Sequence, residues 1–310
     1  MMKIHTDPNN LPEFSNSVLT IGAFDGVHKG HSTILTLLKE TALQYGGETV
    51  VITFYPHPRQ VIPHQNHKVS LINTFQEKIS LLENNGIDHL VVVPFTQEFS
   101  AYSADEYISN FLVEKFKPTI IVIGHDHKFG KNRSGDFTLL EKRSLQYHYQ
   151  VIEIPEQVIN SVAISSTKIR EHIISGEIEK ANELLGYPFF FSGTVIHGKR
   201  IGTTIGFPTA NIMINDEDKI IPGNAVYAVE VEIESLNKKY KGMMNIGVRP
   251  TFDGSERAIE IHIFEFNESI YEKNISVTIM SKLRSEKKFN SVDELITQLN
   301  LDKQVARSIL

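Results

Sequence analysis

A glycine-rich turn between an apolar run and an amphipathic segment constrains the fold of this chain more than any other feature. Residues 18–21 read VLTI, residues 22–31 read GAFDGVHKGH, and apolar side chains recur at helical spacing over residues 34–38. A buried strand, a glycine turn and a helix in this order are typical of a doubly wound α/β domain, whose turn presents backbone N–H groups to a phosphate. The glycines stand four residues apart, which differs from the dinucleotide-binding fingerprint.

Two histidines stand at the start of the predicted helix. His28 and His31 are three residues apart, so they share one helix face and can point at one anion beside the positive end of the helix dipole. A phosphate beside an imidazole favours the protonated ring, which could stabilise charge that develops on a triphosphate during nucleotidyl transfer. The alternative is a glycine-capped helix with two surface histidines.

The first half of the chain alternates patterns of buried strands and amphipathic helices. The β-branched apolar runs are Val18–Ile21, Val50–Phe54, Leu90–Val93, Ile120–Ile123 and a weaker Val151–Ile154. The amphipathic stretches cover residues 31–45, 74–85, 104–115 and 136–146. This alternation predicts a Rossmann-like α/β domain with a parallel sheet and helices on both faces. Its ligands are expected at the carboxyl ends of the strands, where residues 22–31, 55–59 and 124–136 carry unusual polar segments.

The second half changes pattern after two helical segments at residues 166–174 and 177–185. Short alternating strands follow, separated by turns rich in Gly, Pro and Asn, at residues 189–197, 225–234, 239–246, 258–266 and 274–280. Such strands predict an antiparallel β-barrel or sandwich. A final helix at 291–309 begins at Ser291, a candidate N-cap with Glu294 three residues on. We place the domain boundary near Gly186, which gives domains 1–186 and 187–310.

Composition excludes several classes of protein. A formal net charge of −6 argues against a nucleic-acid or membrane-surface protein, and the absence of cysteine excludes disulfides and thiolate metal sites. The first ten residues lack the apolar core of a signal peptide, and no stretch of about 18 apolar residues exists. We therefore expect a cytoplasmic protein with no nucleic-acid or membrane partner. Weak self-association is left open.

The motifs of the first half resemble those of one enzyme family. The turn at 22–31 is similar to the G-x-F-D-G-x-H-x-G-H signature of FAD synthetases, within the wider nucleotidyltransferase superfamily. Residues 53–58 (TFYPHP) resemble the F-x-P-H-P segment of that family, 124–130 (GHDHKFG) resemble G-x-D-F-x-F-G, and 165–170 (SSTKIR) match I-S-S-T-x-I-R. His127 stands where the family has an aromatic residue.

This resemblance implies transfer of AMP from ATP to FMN. The catalytic residues would be His28 and His31. The residues implied for ATP binding are Gly22, Phe24, Asp25, Gly26, His28, His31, Ser165, Ser166, Thr167 and Arg170. Those implied for FMN binding are Phe54, Pro56, His57, Asp126 and Phe129.

The second half resembles riboflavin kinases. Residues 206–211 (GFPTAN) are similar to the G-F-P-T-A-N motif, 245–252 match N-I-G-x-R-P-T-F, 260–264 match E-x-H-x-F, and 283–284 match L-R. Thr209 and Asn211 offer two hard oxygens at i and i+2, a spacing that suits Mg²⁺ on an extended segment. The alternative for this motif alone is a Pro-Thr turn with an Asn cap.

This second resemblance implies a kinase site. The residues implied for ATP and Mg²⁺ are Gly193, His197, Gly198, Gly206, Pro208, Thr209 and Asn211, with Thr209 and Asn211 as the metal ligands. Asn245, Arg249 and Arg284 are implied for riboflavin, and Glu260 for the catalytic base. The alternative for Glu260 is an exposed glutamate on an alternating strand, with Ile259, Ile261 and Ile263 on the opposite face. Gly202-Thr203 replaces the Gly-Arg of the family, so Lys199 or Arg200 could supply that charge.

Two other patterns each lack a group that the site would require. His125, Asp126 and His127 could suggest zinc, but the sequence offers no further ligand. Residues 193–199 (GTVIHGK) resemble a Walker A loop, yet Arg200 stands where Ser or Thr is required.

Together the two resemblances predict a bifunctional flavin-cofactor enzyme, covering residues 15 to 305. Riboflavin and ATP with Mg²⁺ would give FMN and ADP in the second domain, and FMN and ATP would give FAD and diphosphate in the first. Flavins are thus substrates and products. The alternatives are a riboflavin kinase with an impaired adenylyltransferase domain, a non-enzymatic flavin-binding regulator, or another nucleotidyltransferase such as a cytidylyltransferase.

Overall fold

A computed structural model describes residues 1–62, 70–155, 164–198, 201–236, 238–251 and 254–310, with the side chains of 201, 249–251 and 254–256 left out. By contacts the chain divides into two compact units. The first comprises Met1–Val69 and Phe75–Ser165, and the second comprises Ser70–Thr74 and Ser166–Leu310. The helical segments at 166–185 therefore group with the second unit, and the domain boundary placed near Gly186 stays a prediction.

The first unit is built on a six-stranded sheet. Its strands are β1 (Lys3–His5), β2 (Val18–Ile21), β3 (Thr49–Tyr55), β4 (His89–Pro94), β5 (Ile120–Gly124) and β6 (Gln150–Ile154). Their order in the sheet is β1-β4-β3-β2-β5-β6, and every neighbouring pair is parallel. The parallel sheet predicted from the apolar runs is confirmed, with β1 as an additional edge strand.

Helices cover both faces of this sheet. They are α1 (Lys29–Tyr45), α2 (Pro58–Val61), α3 (Phe75–Asn84), α4 (Gln97–Ser100), α5 (Ala104–Glu106), a π-helical stretch Tyr107–Val113, α6 (Glu114–Phe116), a 3₁₀ turn Lys131–Arg133 and α7 (Phe137–Tyr147). Successive residues of a strand point to opposite faces of the sheet and pack in two separate hydrophobic cores. On β2, Leu19 and Ile21 pack in the core that contains Phe111, whereas Val18 packs in the core that contains Leu35. The doubly covered sheet explains why its inner strands are predominantly apolar.

The second unit contains a closed antiparallel barrel. Two helices, α8 (Ser166–Ser175) and α9 (Ile178–Leu185), precede it. The barrel strands are β7 (Phe190–Ile196), β8 (Ala210–Met213), β9 (Ala225–Ile233), β10 (Lys238–Thr251), β11 (Gly254–Ile263) and β12 (Asn274–Ser285). They close in the order β10-β11-β8-β7-β12-β9, with the short helix α10 (Ile201–Thr204) between β7 and β8. This confirms the barrel; the sequence pattern missed β8.

The last helix, α11 (Val292–Ile309), packs on the outside of the barrel. Its N-cap is Ser291, whose hydroxyl accepts from the Glu294 N–H at 3.1 Å, as the sequence predicts. Ala306 of the helix packs with Ala228 and Met243 of the barrel strands and with Phe207, which precedes β8. Across the described ranges, no helix has the length and apolar character needed to cross a membrane.

Candidate active sites

The turn after β2 has a backbone that few side chains tolerate. Phe24, Gly26 and Val27 have φ values of 49°, 89° and 34°, all in the left-handed region. A β-branched residue such as Val27 is rarely found there, so the turn is strained. Successive residues with left-handed and right-handed backbone bring their N–H groups together into a concavity that binds anions. These φ values agree with such a concavity, and phosphate binding by the turn stays a prediction.

His28 and His31 lie in direct contact at the end of this turn. Their rings stack with centroids 3.7 Å apart, and His28 is the N-cap of α1, accepting from the His31 N–H at 3.4 Å through Nδ1. His28 is 6% exposed, so the alternative of two surface histidines is wrong. Burial first, then His28 and then Lys78, lowers the pKa of His31 well below its ordinary value. Without an anion, the His31 ring is therefore neutral at neutral pH.

Lys78 is a residue of this site that the sequence analysis missed. It lies on α3, is 5% exposed, and donates from Nζ to the carbonyl of Ala23 at 2.9 Å. Burial lowers the pKa of this ammonium to about 8, and the Asp25 carboxylate opposes the shift. The signal was available, because Lys78 occupies the apolar stripe that also contains Phe75, Ile79 and Leu82.

The predicted flavin-binding segment after β3 is well ordered by its own contacts. His57 is the N-cap of α2: its Nδ1 accepts from the Arg59 N–H at 3.1 Å, and its own N–H donates to Gln60 at 2.7 Å. Pro56 directly precedes this cap. Phe54 is 8% exposed and packs edge-to-face on Phe95. The positions of these residues at the end of β3 and directly after it agree with a site at the carboxyl end of the sheet, and their contact with FMN stays a prediction.

The segment after β5 shows what replaces the aromatic residue of the family. The ring of His127 lies 5.9 Å from that of Phe129, and within the described residues its Nε2 has no hydrogen-bond partner. Burial lowers the pKa of His127 to about 4, so the imidazole is neutral and acts as a packed ring. Phe129 stacks on Tyr107 at 5.0 Å, whereas Asp126 is exposed. Among the described residues no group of three His, Asp or Glu side chains is placed to bind a metal ion.

The predicted triphosphate ligands at residues 165–170 are divided between the two units. Ser165 belongs to the first unit, whereas Ser166, Thr167 and Arg170 belong to the second. Ser166 is the first residue of α8, and Arg170 donates from Nε to the carbonyl of Ser70 at 2.8 Å. A triphosphate site shared with His28 stays a prediction.

In the barrel, one row of opposed residues gathers four predicted site residues. Asn211 lies opposite Glu260, Glu260 opposite Asn245, Asn245 opposite Val226, and Val226 opposite Arg284. Directly opposed residues of antiparallel strands point to the same face of the sheet, about 5 Å apart at Cβ. The row therefore places a carboxylate between two amides, with a guanidinium on the same face.

Side chains on the opposite face of β11 point into the barrel and form part of its core. Ile259, Ile261 and Ile263 are at most 6% exposed. This alternation is the one that the sequence analysis described with the alternative interpretation of Glu260, and it turns Glu260 to the outside of the barrel, where α11 also packs. Glu260 is half-buried there and not exposed.

A cavity of about 280 Å³ lies over this face. Its polar lining includes Thr209, Asn245, Glu260 and Arg284, and its apolar lining includes Phe289 and Leu299. Arg284 is held by both carboxylate oxygens of Asp302, with Nε at 3.0 and 2.9 Å and Nη2 at 2.8 Å. Asp302 is 3% exposed on α11 and was missed by the sequence analysis. The cavity combines apolar walls with few fixed polar groups, as small-molecule sites do.

The motif around Thr209 is shaped by glycines. Any Cβ at Gly198 would collide with the amide of Asn211, and any Cβ at Gly202 would collide with the carbonyl of Phe207. Gly206 has φ +81°, and the Pro208 carbonyl accepts from His262 Nδ1 at 2.8 Å. The hydroxyl and amide oxygens at 209 and 211 are hard donors in a closely fitted backbone, so the donor set suits Mg²⁺.

Other predicted phosphate ligands have structural roles. Gly193 lies inside β7, where a Cβ would be 2.6 Å from the Met213 carbonyl. The strand conformation of residues 193–196 excludes a Walker A loop there. His197 stacks on Tyr271 at 4.0 Å. Lys199, Arg200 and the side chain of Arg249 lie outside the described residues.

Comparisons with known proteins agree with the two units. Residues 11–168 match the FAD synthetase family and residues 185–310 match the riboflavin kinase family. A Buchnera aphidicola protein named bifunctional riboflavin kinase/FMN adenylyltransferase is 39% identical over 99% of this chain and 98% of its own length. The chain belongs to this bifunctional family.

Other members of the riboflavin kinase/FMN adenylyltransferase family align over almost the whole chain. The Listeria monocytogenes member is 40% identical over 94% of this chain and 92% of its own length, and the Escherichia coli K12 member is 36% identical over 99% and 97%. A solved Streptococcus pneumoniae structure, named a macrolide-efflux protein, is 32% identical over 99% of this chain and 98% of its own, with a TM-score of 0.87. The family resemblance and the two-domain fold read from the motifs are thus confirmed.

Proposed function

We propose that this chain catalyses two successive transfers from ATP, namely the phosphorylation of riboflavin to FMN and the adenylylation of FMN to FAD. Its membership of the bifunctional family supports both activities. The single observation that carries the proposal is the row in which Glu260 lies opposite both Asn211 and Asn245 beside a cavity. A regulator that only binds flavin would not need a carboxylate at that position.

In the kinase site, Glu260 would accept the proton of the ribityl 5′-hydroxyl as the oxygen attacks the γ-phosphorus of ATP. Asn245, Arg249 and Arg284 would position the flavin, and the contact with Asp302 would limit the freedom of Arg284. Gly193, His197, Gly198, Gly206 and Pro208 would shape the ATP side. Thr209 and Asn211 would hold Mg²⁺, which neutralises phosphate charge when bound.

In the adenylyltransferase site, a phosphate oxygen of FMN would attack the α-phosphorus of ATP, and diphosphate would leave. The strained turn with Gly22, Phe24, Asp25 and Gly26 would direct N–H groups at the phosphates. His28 and His31 would stabilise the charge that develops. For His31, a bound polyanion would favour the protonated imidazole that burial disfavours. Ser165, Ser166, Thr167 and Arg170 would bind the triphosphate, and Phe54, Pro56, His57, Asp126 and Phe129 would bind FMN.

A second candidate function is that of a riboflavin kinase with an impaired adenylyltransferase domain. The observation that favours it is His127, which replaces an aromatic ring with a buried neutral imidazole. A cytoplasmic location and weak self-association stay predictions of the sequence.

One incubation separates these functions. The purified chain is mixed with riboflavin, ATP and Mg²⁺, and the flavins are separated over time. The proposal predicts FMN first and FAD after it. Accumulation of FMN alone would favour the second candidate, and unchanged riboflavin would contradict both.

A further inference from the structure

The buried side chain of Lys78 lies beside the turn at residues 22–31 and has no role in the reactions described above. The Lys78 ammonium donates to the Ala23 carbonyl at 2.9 Å, and Thr53 Oγ1 donates to the same carbonyl at 3.3 Å. Two side chains from different elements, α3 and β3, therefore hold one peptide group. The two donors differ in one respect that an experiment can use, because only Lys78 is charged.

The peptide group they hold is where the strained turn begins. Ala23 precedes Phe24, the first residue of the turn with a left-handed backbone. In a trans peptide the C=O and the following N–H point in opposite directions. Fixing the Ala23 carbonyl towards Lys78 therefore directs the Phe24 N–H away from it. Strained backbone persists only where the surroundings over-determine it, and two donors on one carbonyl meet that condition.

The burial of a positively charged group at Lys78 also requires an explanation. A buried ammonium is costly, and Lys78 stands in the apolar stripe of α3, where an aliphatic side chain would pack without that cost. Asp25 and His31 are titratable groups that interact electrostatically with it, and His31 stacks on His28. Electrostatic attraction is stronger where water is excluded, so this cation favours an anion bound at the turn.

We propose that Lys78 is a positioning residue for the triphosphate of ATP, whose ammonium fixes the Ala23–Phe24 peptide and supplies positive charge behind it. The inference rests on the proposed adenylyltransferase function. It extends the adenylyltransferase site to a residue on α3, outside the turn itself.

The test compares three variants of the full chain: Lys78→Met, Lys78→Gln and Thr53→Val. For each, the KM for ATP, the KM for FMN and kcat are measured for FAD formation. Circular dichroism and a thermal melt of the same preparation control for folding of the first unit, and riboflavin phosphorylation shows that the second unit is intact. Loss of a charged hydrogen bond corresponds to about a tenfold effect or more. We expect both Lys78 variants to raise the KM for ATP by about that factor, and Thr53→Val to raise it less than about threefold.

Two results would overturn the proposal. One is a KM for ATP in the Lys78 variants within about twofold of the wild type. The other is an equal effect of Thr53→Val and Lys78→Met, because loss of either hydrogen bond would then explain the change without charge. If the melt shows that Lys78→Met is misfolded, Lys78→Gln decides by the same criteria. If the wild type forms no FAD, the proposed function fails, and calorimetric titration of ATP into wild type and Lys78→Gln still tests Lys78.

Discussion

Glu260 and Asn211 lie directly opposite each other on the antiparallel strands β11 and β8. Their side chains therefore share the outer face of the barrel, with the Thr209 segment leading into β8. This relationship joins two motifs that are 49 residues apart in sequence. It places the candidate base beside one of the two candidate metal ligands.

Replacing Glu260 should separate the two activities. Glu260→Gln keeps the shape of the side chain and removes the proton acceptor, so riboflavin phosphorylation should fall by about 10²- to 10⁴-fold. FAD formation from supplied FMN should be unchanged. Glu232→Gln on the exposed side of β9 is the matched control and should leave both activities intact. Equal loss of both activities in a folded Glu260→Gln chain would contradict the assignment of two sites.

Replacing His28 should have the opposite effect. His28→Asn removes the imidazole but retains a side chain that can cap α1, so the helix should be preserved. FAD formation should fall by about 10²-fold or more, while riboflavin phosphorylation continues. His148→Asn is a suitable control, because His148 is exposed and has a left-handed backbone that asparagine tolerates. Normal FAD formation by His28→Asn would remove the catalytic role given to this histidine.

The buried imidazole of His127 should make the first unit sensitive to acid. Its pKa is lowered to about 4, whereas in the unfolded chain it is near the ordinary value of about 6.5. Between these values the unfolded chain binds a proton that the folded chain does not, so stability falls as the pH drops below about 6.5. His127→Phe should therefore show a smaller decrease in melting temperature between pH 7.5 and pH 5. Identical decreases in the variant and the wild type would show that His127 does not contribute.

Lys219 should be a major source of stability in the second unit. Its side chain is 4% exposed, and Nζ donates to the carbonyls of Ile72 at 2.7 Å and Phe190 at 2.8 Å. Lys219→Met would leave both carbonyls without that donor, at an expected cost of about 2–4 kcal/mol in the free energy of unfolding. Urea denaturation measures this cost, with Lys239→Met at the exposed start of β10 as the control. A change below about 0.5 kcal/mol would show that other groups satisfy these carbonyls.

Strands and helices were predicted from the sequence better than contacts between side chains, and the reason is physical. The apolar runs that became β2 to β5 are buried on both faces, so their pattern is continuous and unambiguous. Strand β8 was missed because Ala210–Met213 is only four residues long and lies inside a functional motif. Strand β1 was missed because Lys3–His5 is a short and mostly exposed edge strand.

The motifs did not predict the side chains that hold other site residues in place. Lys78 stands more than fifty residues from Ala23, and Asp302 stands 18 residues from Arg284 on a different element. Only the fold brings each pair together. The alternation along β11, in contrast, is a local property of the chain, and it correctly gave the face on which Glu260 lies.

Mixing two variants tests the central claim, that one chain carries two independent transferase sites, most directly. Glu260→Gln alone should leave riboflavin unconverted, and His28→Asn alone should stop at FMN. An equal mixture with riboflavin, ATP and Mg²⁺ should form FAD, because FMN released by one variant is the substrate of the other. A mixture that forms no FAD, although each variant retains its remaining activity, would contradict the account.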